Sequence, residues 1–490
     1  MTVYRTPGVY VREVQLIPPA VAAVATAIPC FFGYTADATL AGTPTRITSL
    51  LEFEEKFGAS PVTRIDLDVV KRVTQSGALL GVDVSLNEIS VGGGAAITTG
   101  VPTELLHYSV RHFYACGGGP CWIYSLGAHG SNTAADYTDA ITALEAVDEP
   151  TLLVFPGATG LATHEAVIQH ALSSALRSQD RFVIADVREA HPGGANADSN
   201  AVDTLGTGFR ASVAPVDPKA LQYGAAYWPY LNTQIPWFTT EDSVRIVSFT
   251  RREIQNDGSA PVDTTPLTVP IAISDATVRD GETSAYNACK TFAQNRFVTL
   301  PPSGAVAGVY ATVDRNRGVW KAPANVGLAL VSSAAIRATN DDNDRLNVDT
   351  TSGKSINVIR AFAGKGVLVW GARTLAGNDN EYRYVNVRRL TIMIEESVEK
   401  AVGTFVFESN DKNTWVKVKT MIENFLFLQW RAGALQGAKP EDAYHVLVGL
   451  GTTMTPDDIL NGYMRVSVFI APVRPAEFIE LTFMQKLPSS

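Results

Sequence analysis

Between residues 103 and 186, short apolar runs alternate with helix-length amphipathic stretches, and few architectures accommodate that rhythm. Thr103–Ala115 reads as a helix, Cys121–Ser125 as a strand, Tyr137–Val147 as a helix, Leu152–Phe155 as a strand, Ala162–Ser178 as a helix and Phe182–Asp186 as a strand. Strands separated by helices of this length must cross over to pair, which calls for a parallel or mixed sheet with helices on its faces. The expected class is α/β, with α+β excursions, in a chain of more than one domain.

Length and composition agree. A chain of 490 residues exceeds one ordinary core, so two to four domains are expected, and a hydrophobic fraction of 46% with 18% charged residues suits folded domains. The net charge of −9 leaves no global footprint for nucleic acid, whose partners carry a basic excess. Cys30, Cys116, Cys121 and Cys289 form neither a C-x-x-C pair nor a spaced ligand set, and no signal core precedes them, so they read as reduced thiols of a protein made in the cytoplasm. The uncharged run from Gln15 to Ala36 is broken by Pro18, Pro19 and Pro29, so it reads as a linker and core strand, with no membrane insertion.

The remaining segments sort by the same signals. TPGVYVREV at 6–14 is a strand launched by a Pro-Gly turn and stopped by Pro18 and Pro19, yet no hairpin partner follows it. A lone strand leaves backbone groups unpaired, so either a distant part of the chain or another chain must receive it. Ile28–Tyr34 reads as a buried strand, Phe53 and Phe57 as a short helix stopped by Gly58, and the glycine-rich stretch 81–100 as a surface insertion. Residues 201–212 read as a helix and 241–269 as a β-rich excursion. Lys365–Arg373 and Tyr382–Arg388 read as strands, Leu390–Phe405 and Thr414–Leu435 as helices, and Arg465–Ile470 and Glu477–Met484 as alternating strands parted by Pro472 and Pro475.

Tests for chemistry fail one after another. The Gly-Lys-Ser run at 353–355 lacks the earlier glycine of a phosphate loop and reads as a polar turn. The glycines at 92–94 and at 157 and 160 lack dinucleotide spacing. His164 and His170 lie too far apart to chelate side by side on a helix and read as helix-surface residues. Asp341, Asp342, Asp344 and Asp349 lack the glycine of a calcium loop and read as a solvated loop. No nucleophile motif appears either. The expectation is a protein with no catalytic residues, no metal site and no cofactor.

Several blocks together resemble a known family. TPGVYVREV at 6–14, AIPCFFGYT at 27–35, GVYATVDRNRGVWKAPAN at 308–325, VLVWGARTL at 367–375, YRYVNVRR at 382–389, NTWVKVKTMIENFLFLQWRAGALQG at 413–437 and APVRPAEFIELTFMQ at 471–485 look like contractile tail sheath proteins. The resemblance implies a core built from both chain ends with outer domains inserted. On that basis 1–20 would be a linking arm, 21–345 an outer α/β domain with insertions near 82–102 and 241–263, and 346–490 a tube-proximal core with a linking strand at 476–486. It further implies a homo-oligomer of hexameric rings stacked around an inner tube protein, with baseplate and terminal cap proteins, no direct nucleic-acid partner, and residence in a phage tail-like particle after synthesis. One chain carrying both ends resembles single-chain sheaths more than the split type VI pair; a two-chain type VI component and an α/β enzyme with an unrecognised site remain the rival readings.

Family likeness also answers what the first strand pairs with. In similar proteins the termini add to a small sheet on neighbouring subunits. The implied linking strands here are Val9, Tyr10 and Val11 with Phe478, Ile479, Glu480, Leu481, Thr482 and Phe483. The acceptor strands would be Tyr384, Val385, Asn386, Val387 and Arg388, and Val466, Ser467, Val468, Phe469 and Ile470. Lys412, Lys417, Lys419 and Arg431, with Arg388 and Arg389 nearby, form a basic group in an acidic chain that would face the inner tube, against the alternative of a merely solvated helix face. Trp415, Ile422, Phe425 and Trp430 read as core.

Overall fold

A computed structural model describes residues 21–91, 94–130, 132–188 and 208–480. Contacts divide the chain into two compact units, one of 25–389 with the segment from 474 onward, the other of 390–473 with the segment up to 24.

The larger unit is organised by a nine-stranded sheet in the order Val326–Gly327, Gly366–Val369, Ile356–Phe362, Gly224–Trp228, Phe182–Asp186, Leu152–Val154, Pro29–Thr35, Cys121–Ala128, Thr45–Ile47. Neighbours from Ile356–Phe362 through Cys121–Ala128 run parallel, and antiparallel strands close both edges. This is the mixed sheet that the alternating segments call for, and its inner strands are buried throughout, as parallel strands covered on both faces must be.

Helix Ser303–Arg317 explains the small residues near its start. A Cβ on Gly304 would lie 2.7 Å from the Ser109 carbonyl oxygen, and one on Gly308 2.6 Å from that of Phe113. The helix therefore lies backbone-close against Leu106–Ala115, a distance only glycine permits. Its first turn is fixed by Asp186, which accepts from the Ser303 amide at 2.7 Å and hydroxyl at 2.6 Å.

A second, five-stranded sheet joins Thr63–Thr74, Leu79–Val91, Val244–Ile254, Val262–Thr264 and Ile271–Ala272. Residues 81–91 are thus a paired strand and not the loose insertion expected over 81–100. Val82 and Val84 alternate toward a core that includes Ile65, Leu67, Ile246 and Phe249, and Ile89 joins it only after a register shift between Leu86 and Glu88, so the period-2 signal is broken within the strand and further masked by the glycines that follow. The expected excursion at 241–269 supplies its partners. A three-stranded sheet of Phe297–Leu300, Leu231–Pro236 and Val331–Ala334 completes the unit.

Further expectations change here. The boundary placed at 345/346 moves to 389/390, because Ile356–Phe362 and Gly366–Val369 belong to the large sheet. Residues from Val385 start helix Val385–Val402, so Tyr384, Val385, Asn386, Val387 and Arg388 are not an acceptor strand. Positions 385–394 are all buried, and a helix buried all round loses the 3.6-residue stripe, leaving Val385 and Val387 to mimic strand alternation. Asp341 and Asp342 open helix Asn340–Asn347, where Thr339 and Asp342 form a capping box and Asp342 is buried; Asp344 lies in the same helix and Asp349 beyond it, accepting from the amides of Thr351 and Ser352, so the group is not one solvated loop. His164 is wholly buried, its Nε2 against the Asp186 carbonyl at 2.9 Å, and not on the helix surface. The Gly-Lys-Ser run is not itself the turn: it follows one at 350–352 and leads into strand Ile356–Phe362, and the Lys354 amine donates to the Arg210 carbonyl.

The smaller unit packs helix Lys412–Arg431 against a two-stranded antiparallel sheet of Tyr444–Val448 and Val466–Ile470. Asp411 caps the helix by accepting from the amides of Asn413 and Thr414. Val418, Met421, Ile422, Phe425 and Leu426 bury one face at i, i+3 and i+4 spacing, whereas Trp415 and Trp430 are half-buried.

Candidate assembly interface

The expected linking residues Val9, Tyr10, Val11, Leu481, Thr482 and Phe483 lie outside the described residues. What the structure offers is three surfaces that could meet another chain.

In the smaller unit, Val466, Ser467, Val468, Phe469 and Ile470 form a strand as expected, in register with Tyr444–Val448 from Tyr444 opposite Ile470 to Val448 opposite Val466. Among the described residues no third strand pairs with this sheet. No residue of Val466–Ile470 is buried, and Phe469 is 57% exposed. An uncovered strand with apolar side chains is a template for pairing.

The same unit presents the outer face of Lys412–Arg431. At about 100° per residue, Arg431 and Lys412 fall on the face opposite the buried stripe, while Lys417 and Lys419 lie at its two margins. Lys412, Lys417 and Arg431 are exposed; Lys419 is half-buried beside Glu423 at 3.7 Å. The sequence reading missed the apolar company of these cations: Val416, Phe427 and Leu428 are exposed on that face, and the Arg431 guanidinium lies 5.9 Å from the Phe427 ring centre. Their position opposite Ile422 was readable from the spacing alone. Arg388 and Arg389 do not join this group, for both are buried in the larger unit. The Arg388 guanidinium sits between the rings of Tyr223 and Tyr382, and Arg389 pairs with Asp314 at 2.6 Å while donating to the Thr26 carbonyl.

The third surface is where the C-terminal segment crosses the larger unit. Arg373, 5% exposed at its side chain, donates through Nε and Nη2 to both oxygens of Glu477 at 2.6 to 3.1 Å. The Tyr384 hydroxyl at 3.1 Å and the Asn347 amide at 2.7 Å complete the grip. Burial alone would raise the Glu477 carboxyl, but these donors outweigh it and hold the group below its usual range. Arg373 is itself oriented, since its backbone amide donates to Asn357 Oδ1 at 2.8 Å. Pro475–Ile479 forms one wall of a groove of about 550 Å³ whose other side includes Trp370, Arg373 and Tyr384. Phe478 and Ile479 are 75% and 77% exposed, and residues through Glu480 form no strand within this chain.

Among the described residues no cluster of three or more His, Cys, Asp or Glu side chains is placed to hold a metal ion, and no helix is long and apolar enough to cross a membrane.

Residues 130–375 match the phage tail sheath protein central domain, and 377–486 match the phage tail sheath C-terminal domain. This chain belongs to the contractile tail sheath family. The tail sheath protein of Vibrio phage KVP40 is 25% identical over 229 residues, which is 46% of this chain and 31% of that protein. The matched stretch thus spans about a third of that curated relative's length. The fold extends over nearly the whole chain in solved relatives. The helical sheath of the anti-feeding prophage in its contracted state is 29% identical with a TM-score of 0.60, covering 99% of this chain and 100% of that one. The PVC sheath complex of an extracellular contractile injection system, also contracted, is 26% identical with a TM-score of 0.63 and covers 99% of each.

Proposed function

We propose that this chain is the structural subunit of a contractile sheath that polymerises as stacked hexameric rings around an inner tube and shortens to drive the tube through a target envelope. The observation that carries the reading is likeness along nearly the full chain to two sheaths solved in the contracted state. Both family domains lie on one chain, which favours a single-chain sheath over a two-chain type VI component. The free-edged sheet Tyr444–Val448/Val466–Ile470 is suited to receive strands from neighbouring copies, the main chain supplying affinity. Val9–Val11 and Phe478–Phe483 are the strands that would be donated. The mixed cationic and apolar face around Lys417, Phe427 and Arg431 is suited to an acidic tube surface. Baseplate and cap proteins would end the stack, and the particle would form after cytoplasmic synthesis.

Contraction then needs no hydrolysed nucleotide and no catalytic residue. The stored free energy is a difference in packing between two lattices, and strand-paired linkers keep the copies joined as the bodies rotate. Electron microscopy of the purified chain tests this directly: hollow striated cylinders are expected. Removing residues 1–18 should leave a folded protein that builds none. A folded wild-type chain that stays monomeric at every concentration, with or without a tube protein, would refute the assignment.

A further inference from the structure

We propose that Glu477 is the pivot of the C-terminal arm: the carboxylate clamped by Arg373, Tyr384 and Asn347 holds the segment to its own subunit up to this residue, and the chain from Phe478 onward is released toward a second copy. The inference rests on the sheath reading and adds to it the point at which the arm leaves.

Three observations converge. Glu477 receives donors from Arg373, Tyr384 and Asn347, a concentration of charge-assisted bonds found at no other residue of 474–480. The side chains immediately after it turn outward, with Phe478 and Ile479 each about three-quarters exposed. The segment borders the 550 Å³ groove instead of filling it, so apolar packing does not fix its course. A bidentate guanidinium grip restricts direction as well as position, because the planar fork admits one approach.

The consequence is kinetic and geometric. An arm tethered at Glu477 presents a short free segment with a fixed heading; an arm released there becomes longer and searches a larger volume. Both changes lower the effective concentration of the linking strand at its acceptor.

Glu477→Ala and Glu477→Gln in the full chain test the pivot. Amide hydrogen exchange in the monomer, measured well below its melting temperature, should speed up across 474–480; the thermal midpoint should fall too, because the buried Arg373 side chain loses its carboxylate, and less for Glu477→Gln than for Glu477→Ala. The protein concentration at which cylinders appear should rise by about three- to tenfold, less for Glu477→Gln, which still accepts from Asn347. Faster exchange with an unchanged assembly threshold would overturn the pivot and leave the sheath assignment standing. Unchanged exchange in Glu477→Ala would overturn the clamp itself. Absence of cylinders from the wild-type chain would instead overturn the sheath reading, and the exchange measurement would still report on the clamp.

Discussion

Asp186 makes the stability of the larger unit pH-dependent in a direction that can be calculated. It ends a buried strand at 2% exposure and accepts two bonds from Ser303 at the start of helix Ser303–Arg317. Burial pushes its carboxyl from 3.8 up to about 7, and the Ser303 bonds only partly oppose this. The native state therefore keeps a proton that the unfolded chain has released above 3.8, so the contribution of this group to stability is complete at low pH and fades as pH rises through about 7. Between about pH 6 and pH 8 the native carboxyl carries on average about half a proton and the unfolded one almost none, which integrates to on the order of 1 kcal/mol of stability lost. His164 is pushed the opposite way by its own burial, and its Nε2 faces the Asp186 backbone carbonyl, which Asp186→Asn retains. Thermal or urea unfolding of both proteins across that pH range gives the test: the advantage of Asp186→Asn should grow by on the order of 1 kcal/mol with rising pH. Parallel profiles, or a relative gain by wild type at high pH, would mean that the Ser303 bonds keep the carboxylate ionised and that burial does not dominate.

Arg389→Met should destabilise the larger unit by about 3–5 kcal/mol, because the Asp314 carboxylate, 7% exposed, would be left buried without its cation; adding Asp314→Asn should recover much of the loss in urea unfolding. Gly308→Ala should cost about 1–3 kcal/mol in thermal unfolding, since the new methyl meets the Phe113 carbonyl and the Cys116 side chain at 2.6 Å. Lys417→Glu with Arg431→Glu should leave the melting of the isolated chain within about 0.5 kcal/mol, both residues being exposed, yet weaken co-assembly with an acidic tube protein, as sedimentation at low salt would show. On assembly, amides of Val466–Ile470 should become strongly protected while those of Pro29–Thr35 barely change, which hydrogen exchange can read.

What the sequence disclosed, and what it hid, follows burial. Phe182–Asp186 was readable to the residue because a short apolar run between amphipathic helices has few alternatives. Helix Val385–Val402 was hidden in its first turns because complete burial erases periodicity, and the arginines at 388 and 389 looked like surface charge when each is satisfied inside by rings or by Asp314. Strand Leu79–Val91 was hidden by the glycines beyond it. Of the interface, Val466–Ile470 was legible through its alternation, whereas the grip on Glu477 joins residues 104 apart in sequence and leaves no local pattern at all.

The contrast between the two sheets bears on how such a subunit could be rigid and yet join a moving lattice. The nine-stranded sheet pairs its seven inner strands on both sides within one chain, and both its edges are antiparallel strands belonging to the same unit. Among the described residues the two-stranded sheet has no inner strand: a ribbon of that size is marginal in water by itself, and its strand Tyr444–Val448 packs against helix Lys412–Arg431. Under the proposed strand exchange, order in Val466–Ile470 and attachment to a neighbour become one event, because the donated strand supplies the backbone partners that the described chain lacks. Bonds of that kind run perpendicular to the strands and can tilt as a group without being exchanged, so the joint survives rotation of the bodies it connects. Subunits linked in this way can change lattice while remaining connected, and the free-energy difference between lattices is then set by the larger units and not by the joints.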